Sequence, residues 1–231
     1  MRQLSARKKR VSSLLGAGAL LIGGVAAPAL LAAAPASAAT CTVGVACTVT
    51  GTAALTGGTL SITPPPVIGW TGTLTGVTKD LVDLTAADET YNVDDATGAT
   101  SGWNVGVSAT TFTSTTPTAA TLPDTGTFST NGSLTSATAI TAPTATCTSG
   151  TGTCLLPTNG VTYPVAITTG AAVTPVIIYN AADLTGVGSI DIGGSTAAAP
   201  VGWWLALSPT TAPGTYTSTI TFTLSSGPGA P

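Results

Sequence analysis

Tyr216-Thr217-Ser218-Thr219-Ile220-Thr221-Phe222-Thr223-Leu224 sets the reading of this chain. Tyr216, Ser218, Ile220, Phe222 and Leu224 share one parity, and Thr217, Thr219, Thr221 and Thr223 the other. Successive side chains of an extended chain point to opposite faces. This period of two therefore predicts a β-strand with one largely apolar face and one hydroxyl-bearing face. The pattern recurs upstream. Trp103, Val105, Val107 and Ala109 alternate with Asn104, Gly106 and Ser108, and Val201, Trp203, Leu205 and Leu207 alternate with Gly202, Trp204 and Ala206. Thr59 to Thr63 reads as a strand that follows the Gly57-Gly58 turn and stops at Pro64, Pro65 and Pro66. A further strand is expected from Val67 to Leu74, where Ile68, Trp70 and Leu74 share a face that Gly72 interrupts. The apolar runs Val161 to Thr168 and Val173 to Tyr179 contain Pro164 and Pro175, which mark edges or bulges. Lys79 to Glu89 is the charged stretch and reads as one short helix or a loop. Many short strands between Gly, Pro and Asn punctuation predict an all-β fold, an antiparallel β-sandwich or a barrel-like two-sheet domain.

The N-terminus changes the charge balance. Arg2, Arg7, Lys8, Lys9 and Arg10 precede an apolar stretch from Leu14 to Ala34, which ends on Ala36-Ser37-Ala38. A basic segment, an apolar segment and an A-x-A site make a secretory signal peptide. A permanent membrane anchor is the alternative, opposed by Gly23, Gly24, Pro28 and Pro35 within the run. Cys41 follows Thr40, where a lipoprotein signal needs Gly, Ala or Ser. Residues 1–38 are thus expected to be removed, so that the chain meets a membrane only during export. Their removal leaves 193 of 231 residues, enough for one sizeable core. Lys79 is then the sole base against nine acids, a net charge of −8. Nucleic acid and anionic lipid are poor partners for such a surface, because no basic patch replaces their counterions. Few charges and many β-branched residues favour a folded sheet over disorder.

Four cysteines form two close pairs, Cys41 with Cys47 and Cys147 with Cys154. Three connectivities are open. Pairing of neighbours is the simplest, since both spans are short and contain glycine. The chain has no histidine. That weakens a zinc site and removes Ser-His-Asp and Cys-His arrangements. Structural disulfides are the expectation, with no metal and no cofactor. The pairs Asp88/Glu89 and Asp94/Asp95 would point to opposite faces of a strand, so neither pair flanks a scissile bond by itself. They read as solvated loop acids. Calcium held by Asp83, Asp88, Glu89, Asp94 and Asp95 is a lesser alternative, since the segment has no EF-hand loop pattern. No phosphate loop or dinucleotide fingerprint is present. The chain reads as non-enzymatic.

Two stretches carry a family resemblance. Val93-Asp94-Asp95-Ala96-Thr97-Gly98-Ala99-Thr100-Ser101-Gly102-Trp103-Asn104-Val105 joins an acidic, Gly-containing turn to an alternating strand. The stretch from Gly214 through Phe222-Thr223-Leu224 to Pro228 is a Tyr-bearing strand with a proline close behind. Together they resemble the WxL domain, a surface module of Gram-positive bacteria. The first is similar to its Gly-Trp-x-Leu strand and the second to its C-terminal Thr-Trp-x-Leu strand. Val105 stands where the family has Leu, and Phe222 where it has Trp. A literal Trp-x-Leu, Trp203-Trp204-Leu205, lies one strand too early and reads as a core strand.

The resemblance implies a secreted, extracellular protein attached peripherally and noncovalently to the peptidoglycan of the cell wall. Such domains often assemble with other cell-surface proteins. The chain then divides into a signal peptide (1–38), a short disulfide-bearing segment (39–58) and a WxL-like β domain (59–231). Trp103, Val105, Tyr216, Phe222 and Leu224 become the candidate binding residues, either as core packing or as a surface that grips the wall. The alternative is a structural or adhesin-like β-sandwich subunit, joined to a surface assembly by strand addition. A module for soluble glycans ranks third. Leu122-Pro123-Asp124-Thr125-Gly126 matches the L-P-x-T-G signal of sortase substrates. No Lys or Arg follows it, nor any apolar run of roughly 20 residues that would span a membrane. It is expected to be a surface turn.

Overall fold

The structure, a computed structural model, describes residues 42–44, 46, 51–116, 119–148, 150 and 152–229. The expected signal peptide lies outside the described residues. So do Cys41 and Cys47, and with them the disulfide expected between these two cysteines. The chain divides into two units, Met1–Ala53 and Ala54–Pro231, and the strands of the described residues belong to the second.

Fourteen strands are present among the described residues, with no helix. In chain order they are β1 (Leu60–Thr63), β2 (Lys79–Val82), β3 (Thr90–Asp95), β4 (Trp103–Ala109), β5 (Thr113–Ser114), β6 (Ala120–Thr121) and β7 (Phe128–Asn131). There follow β8 (Ala145–Cys147), β9 (Val165–Ile167), β10 (Val176–Ala181), β11 (Gly188–Gly193), β12 (Gly202–Leu207), β13 (Tyr216–Thr217) and β14 (Ile220–Ser226). They form four antiparallel sheets, ordered β1-β3-β11-β8, β2-β12-β7-β9, β10-β4-β14 and β13-β5-β6. None closes into a barrel.

The two four-stranded sheets are stitched by main-chain bonds. Val201 N–H, just before β12, donates to the Glu89 carbonyl before β3 at 2.9 Å, and Thr144 N–H, just before β8, donates to the Ala199 carbonyl at 2.9 Å. The β10-β4-β14 sheet packs its apolar face on them. The Phe222 ring of β14 lies 6.2 Å from Tyr91 of β3 and 5.7 Å from Trp203 of β12. Two layers with facing apolar side chains are the arrangement of a β-sandwich.

The period-two readings of β4 and β12 hold. Trp103, Val105 and Val107 are buried on one face of β4, and Trp203, Leu205 and Leu207 on one face of β12. Burying each large apolar side chain contributes about 1.5–3 kcal/mol. Pro164 and Pro175 precede β9 and β10, which are both edge strands, and β10 carries a register shift between Ile177 and Tyr179.

Three expectations are corrected. Val67 to Leu74 forms no strand. It is an irregular strap in which Ile68 and Trp70 pack on the core while Leu74 stays 39% exposed. Lys79 to Glu89 is neither a helix nor wholly a loop. Lys79–Val82 pairs with β12 and buries Leu81, and the loop begins only at Asp83. The Tyr216–Leu224 stretch is two strands, because the chain leaves the sheet at Ser218 and Thr219.

Candidate functional site

The candidate site is the β4/β14 pair and its surroundings. The two strands are direct neighbours, with Leu224 opposite Val105, Phe222 opposite Val107 and Ser226 opposite Trp103. Equal parity puts Val105, Val107, Phe222 and Leu224 on one face. Four of the five candidate residues are therefore brought together. Tyr216 is not among them. It sits on β13, opposite Ser114 of β5, and its hydroxyl donates to the Ala212 carbonyl at 2.9 Å.

Accessibility divides the four. Trp103 and Val105 are 0% exposed, whereas Phe222 and Leu224 are half-buried on the edge strand. Trp103 lies against Tyr179 of β10 with ring centroids 6.1 Å apart, and its indole N–H donates to the Gly186 carbonyl at 2.7 Å. Burial pushes the Tyr179 hydroxyl up to about 12. Gly102, which precedes Trp103, has φ +67°, and a Cβ there would strike the Ala181 carbonyl oxygen. The glycine of the Gly-Trp pair thus has a local steric cause. Asn104, the middle residue of Trp103-Asn104-Val105, points to the opposite face. Its amide donates to the Gly227 carbonyl at 2.8 Å and holds the chain that follows β14.

The other tryptophans are engaged in the same way. Trp203 donates to the Asp88 carbonyl at 2.9 Å, Trp70 to the Trp203 carbonyl at 2.9 Å, and Trp204 to the Ser133 carbonyl at 3.0 Å. No aromatic side chain is among the large exposed apolar groups of the described residues. A platform of bare rings for stacking on sugars is absent from them.

A groove of about 320 Å³ runs beside β14, between Ser218, Ile220 and Phe222 on one side and Pro64 to Ile68 on the other. Sequence reasoning missed its far wall. The strap is held by Asp83 and by Asp88, the second of which was expected to be a solvated loop acid. Asp83 and Asp88 are only 2% exposed, and Glu89 and Asp95 are also buried. Asp88 Oδ1 accepts from Val67 N–H at 3.1 Å, and Asp83 Oδ2 from Gly69 N–H at 2.9 Å. Asp83 Oδ1 caps Thr85 N–H at 2.9 Å, and Asp95 Oδ1 caps Thr97 N–H at 3.1 Å. Burial pushes the Asp88 carboxyl above its ordinary value. The Val67 amide opposes that rise, and the neighbouring Asp83 charge adds to it. Glu89 is raised by burial and then by Asp83. Asp94 is only half-buried, at the other end of β3 from Asp88 and Glu89.

The Leu122–Gly126 stretch is a bend with Leu122 buried in the core. The Thr111 and Thr169 hydroxyls donate to Asp124 Oδ1 at 2.7 and 2.8 Å, and they hold its carboxyl below the ordinary value. Of the two expected disulfides, the described residues hold one. Cys147 and Cys154 are bonded, which ties the end of β8 to the segment that bridges to Val187. The pairing of Cys41 with Cys47 belongs to residues outside the description and stays an expectation of the sequence.

No family model, curated protein or solved structure matches this chain. The likeness to the WxL domain rests on the two strands described above.

Proposed function

We propose that this chain is an exported bacterial surface protein, held noncovalently on peptidoglycan by its WxL-like domain. The register of β4 and β14 carries the reading. The two stretches that bear the family-like motifs are far apart in sequence, yet they are hydrogen-bonded neighbours with their apolar positions on one face. The role is one of binding rather than catalysis. Trp103 and Val105 are sealed, so they support the strand from beneath. Phe222, Leu224 and the groove walled by Pro64 to Ile68 are the parts that a polymer can reach. A groove lined by strand and proline suits an extended chain, such as a wall peptide or glycan strand, better than a stacked sugar ring.

The test is a pull-down of residues 39–231 on purified sacculi stripped of teichoic acid. The protein should sediment with the sacculi and be released by denaturant, and Phe222→Ala with Leu224→Ala should weaken retention. A folded protein that stays wholly in the supernatant would end this reading.

A further inference from the structure

We infer that β14 is a self-association edge. Two copies pair β14 with β14, antiparallel across a two-fold axis, and join their β10-β4-β14 sheets into one sheet of six strands. This gives to a second copy the β14 edge beside the groove in which the wall reading seats a polymer, and it does not depend on that reading.

The argument starts from the edges of the four sheets. A bare edge offers unpaired N–H and C=O groups to any extended chain, and proteins blunt such edges with prolines, charges, bulges or brevity. Seven of the eight edges here are blunted. The prolines Pro64, Pro65 and Pro66 follow β1, and β2 carries Lys79 and Asp80. Three-residue β8 ends in the Cys147–Cys154 disulfide, and three-residue β9 follows Pro164. Pro175 precedes β10, which is also bulged. Two-residue β6 and β13 are too short to template a partner. β14 has none of these devices within its own length, and the Pro64–Ile68 strap borders only its Ser218–Phe222 end, across the groove. Its seven residues keep an unbroken register against β4, with no proline and no charge.

The sequence of β14 also identifies the occupant. Antiparallel pairing centred on Phe222 sets Ile220 against the partner's Leu224 and Thr221 against the partner's Thr223. Apolar side chains meet on the inner face and hydroxyls on the outer, and both kinds of cross-strand pair are favourable. A neutral seam lets two chains of strongly negative net charge meet without like charges at the contact. The groove beside Ser218, Ile220 and Phe222 leaves space along the edge, and its proline wall has no N–H groups with which to fill it.

Sedimentation velocity over a concentration series of residues 39–231 tests this. The wild-type protein should show a concentration-dependent dimer. Thr221→Lys with Thr223→Lys sets lysine against lysine and should move dimerisation to concentrations higher by ~10-fold or more. Thr221→Lys with Thr223→Glu sets lysine against glutamate in the same register and should dimerise as the wild type does. Both Thr221 and Thr223 are exposed, so circular dichroism of all three proteins should coincide. A wild-type monomer at every soluble concentration overturns the inference. So does a Lys/Lys protein that dimerises like the wild type, or a Lys/Glu protein as monomeric as the Lys/Lys one. The readout involves no wall. A protein that dimerises yet ignores sacculi therefore upholds this inference while the wall reading fails.

Discussion

β4 and β14 have the same alternation, share one sheet and point their apolar residues to the same side, yet they are different kinds of object. β4 lies between two strands and is covered by the layer beneath, so Trp103 and Val105 have no path to solvent. β14 has one neighbour, and Phe222 and Leu224 remain half-exposed on the same apolar face. A period of two names the face that is apolar. It does not name what covers that face. Position in the sheet decides whether an aromatic–x–aliphatic strand becomes core or contact.

Truncation should expose that difference most strongly at Trp103. Trp103→Ala leaves a large cavity beside the Tyr179 ring and removes the donor to the Gly186 carbonyl. A loss of about 3–5 kcal/mol in urea unfolding is expected. If Trp103→Ala costs no more than Phe222→Ala, the contrast between the strands is wrong.

Phe222→Ala should cost less, on the order of 1–3 kcal/mol, because the ring is only partly removed from water and its neighbours can relax. Its effect on binding should be the larger one. Sacculus retention should fall for Phe222→Ala at temperatures where the variant is still folded. It should not fall for Val107→Ala under the same condition, because Val107 is fully buried on β4. Equal losses of binding for the two variants would mean that the assay reports folding alone.

Much of this was legible in advance, and the failures have physical causes. β4, β12 and the second half of the C-terminal stretch follow from alternation, because each turns its apolar parity to the core and has a partner on at least one side. Val67 to Leu74 has aromatic and aliphatic residues at suitable spacing, but its ties run to distant groups. Trp70 bonds to the Trp203 carbonyl, Gly69 to Asp83 and Val67 to Asp88. No local pattern announces an acid that will accept from a strap 14 or 21 residues away. The same bonds explain why Asp83 and Asp88 are buried when a charge count places them in water. At the site, the two family-like strands were legible one at a time, and their neighbour relation comes from the structure. The separation of Tyr216 was not foreseen, because nothing in Tyr216-Thr217-Ser218-Thr219-Ile220 marks a change of sheet.

The acid clamp gives a subtler way to separate the strands, since the strap borders β14. A carboxyl whose folded pKa is raised binds its proton more tightly in the native state. Asp88 and Glu89 therefore contribute stability when protonated, and that contribution is lost as pH rises through their raised folded values, from ordinary values of 3.8 and 4.5. Asp124 works in the opposite sense, but only as pH falls through a value below 3.8. The unfolding temperature should thus fall as pH rises from the ordinary carboxylate values of 3.8 and 4.5 toward neutrality. Asp88→Asn keeps an oxygen for Val67 N–H and should flatten that slope. An unchanged slope in Asp88→Asn would show that the strap is not held in this way.

The smallest effect is expected at Thr125. If attachment were covalent through Leu122-Pro123-Asp124-Thr125-Gly126, substitution there would free the protein from the wall and β14 would be irrelevant to anchoring. The structure opposes that route on local grounds. Leu122 is buried, Leu122 N–H donates to the Phe112 carbonyl at 3.0 Å, and the Asp124 carbonyl accepts from Thr169 N–H at 2.9 Å. An enzyme that cuts after Thr125 would have to draw out a segment bonded at both positions and strip a core side chain from its site. It would also separate β14 from β4, and so discard the strand on which Phe222 and Leu224 stand. Thr125 itself is exposed and none of its own bonds needs the hydroxyl, so Thr125→Ala should change stability by less than ~0.5 kcal/mol. Wall extracts made with denaturant should contain mature protein of full mass from wild type and Thr125→Ala alike. A wild-type fragment ending at Thr125, released only when the glycan is digested, would move the anchor from the β14 edge to this loop.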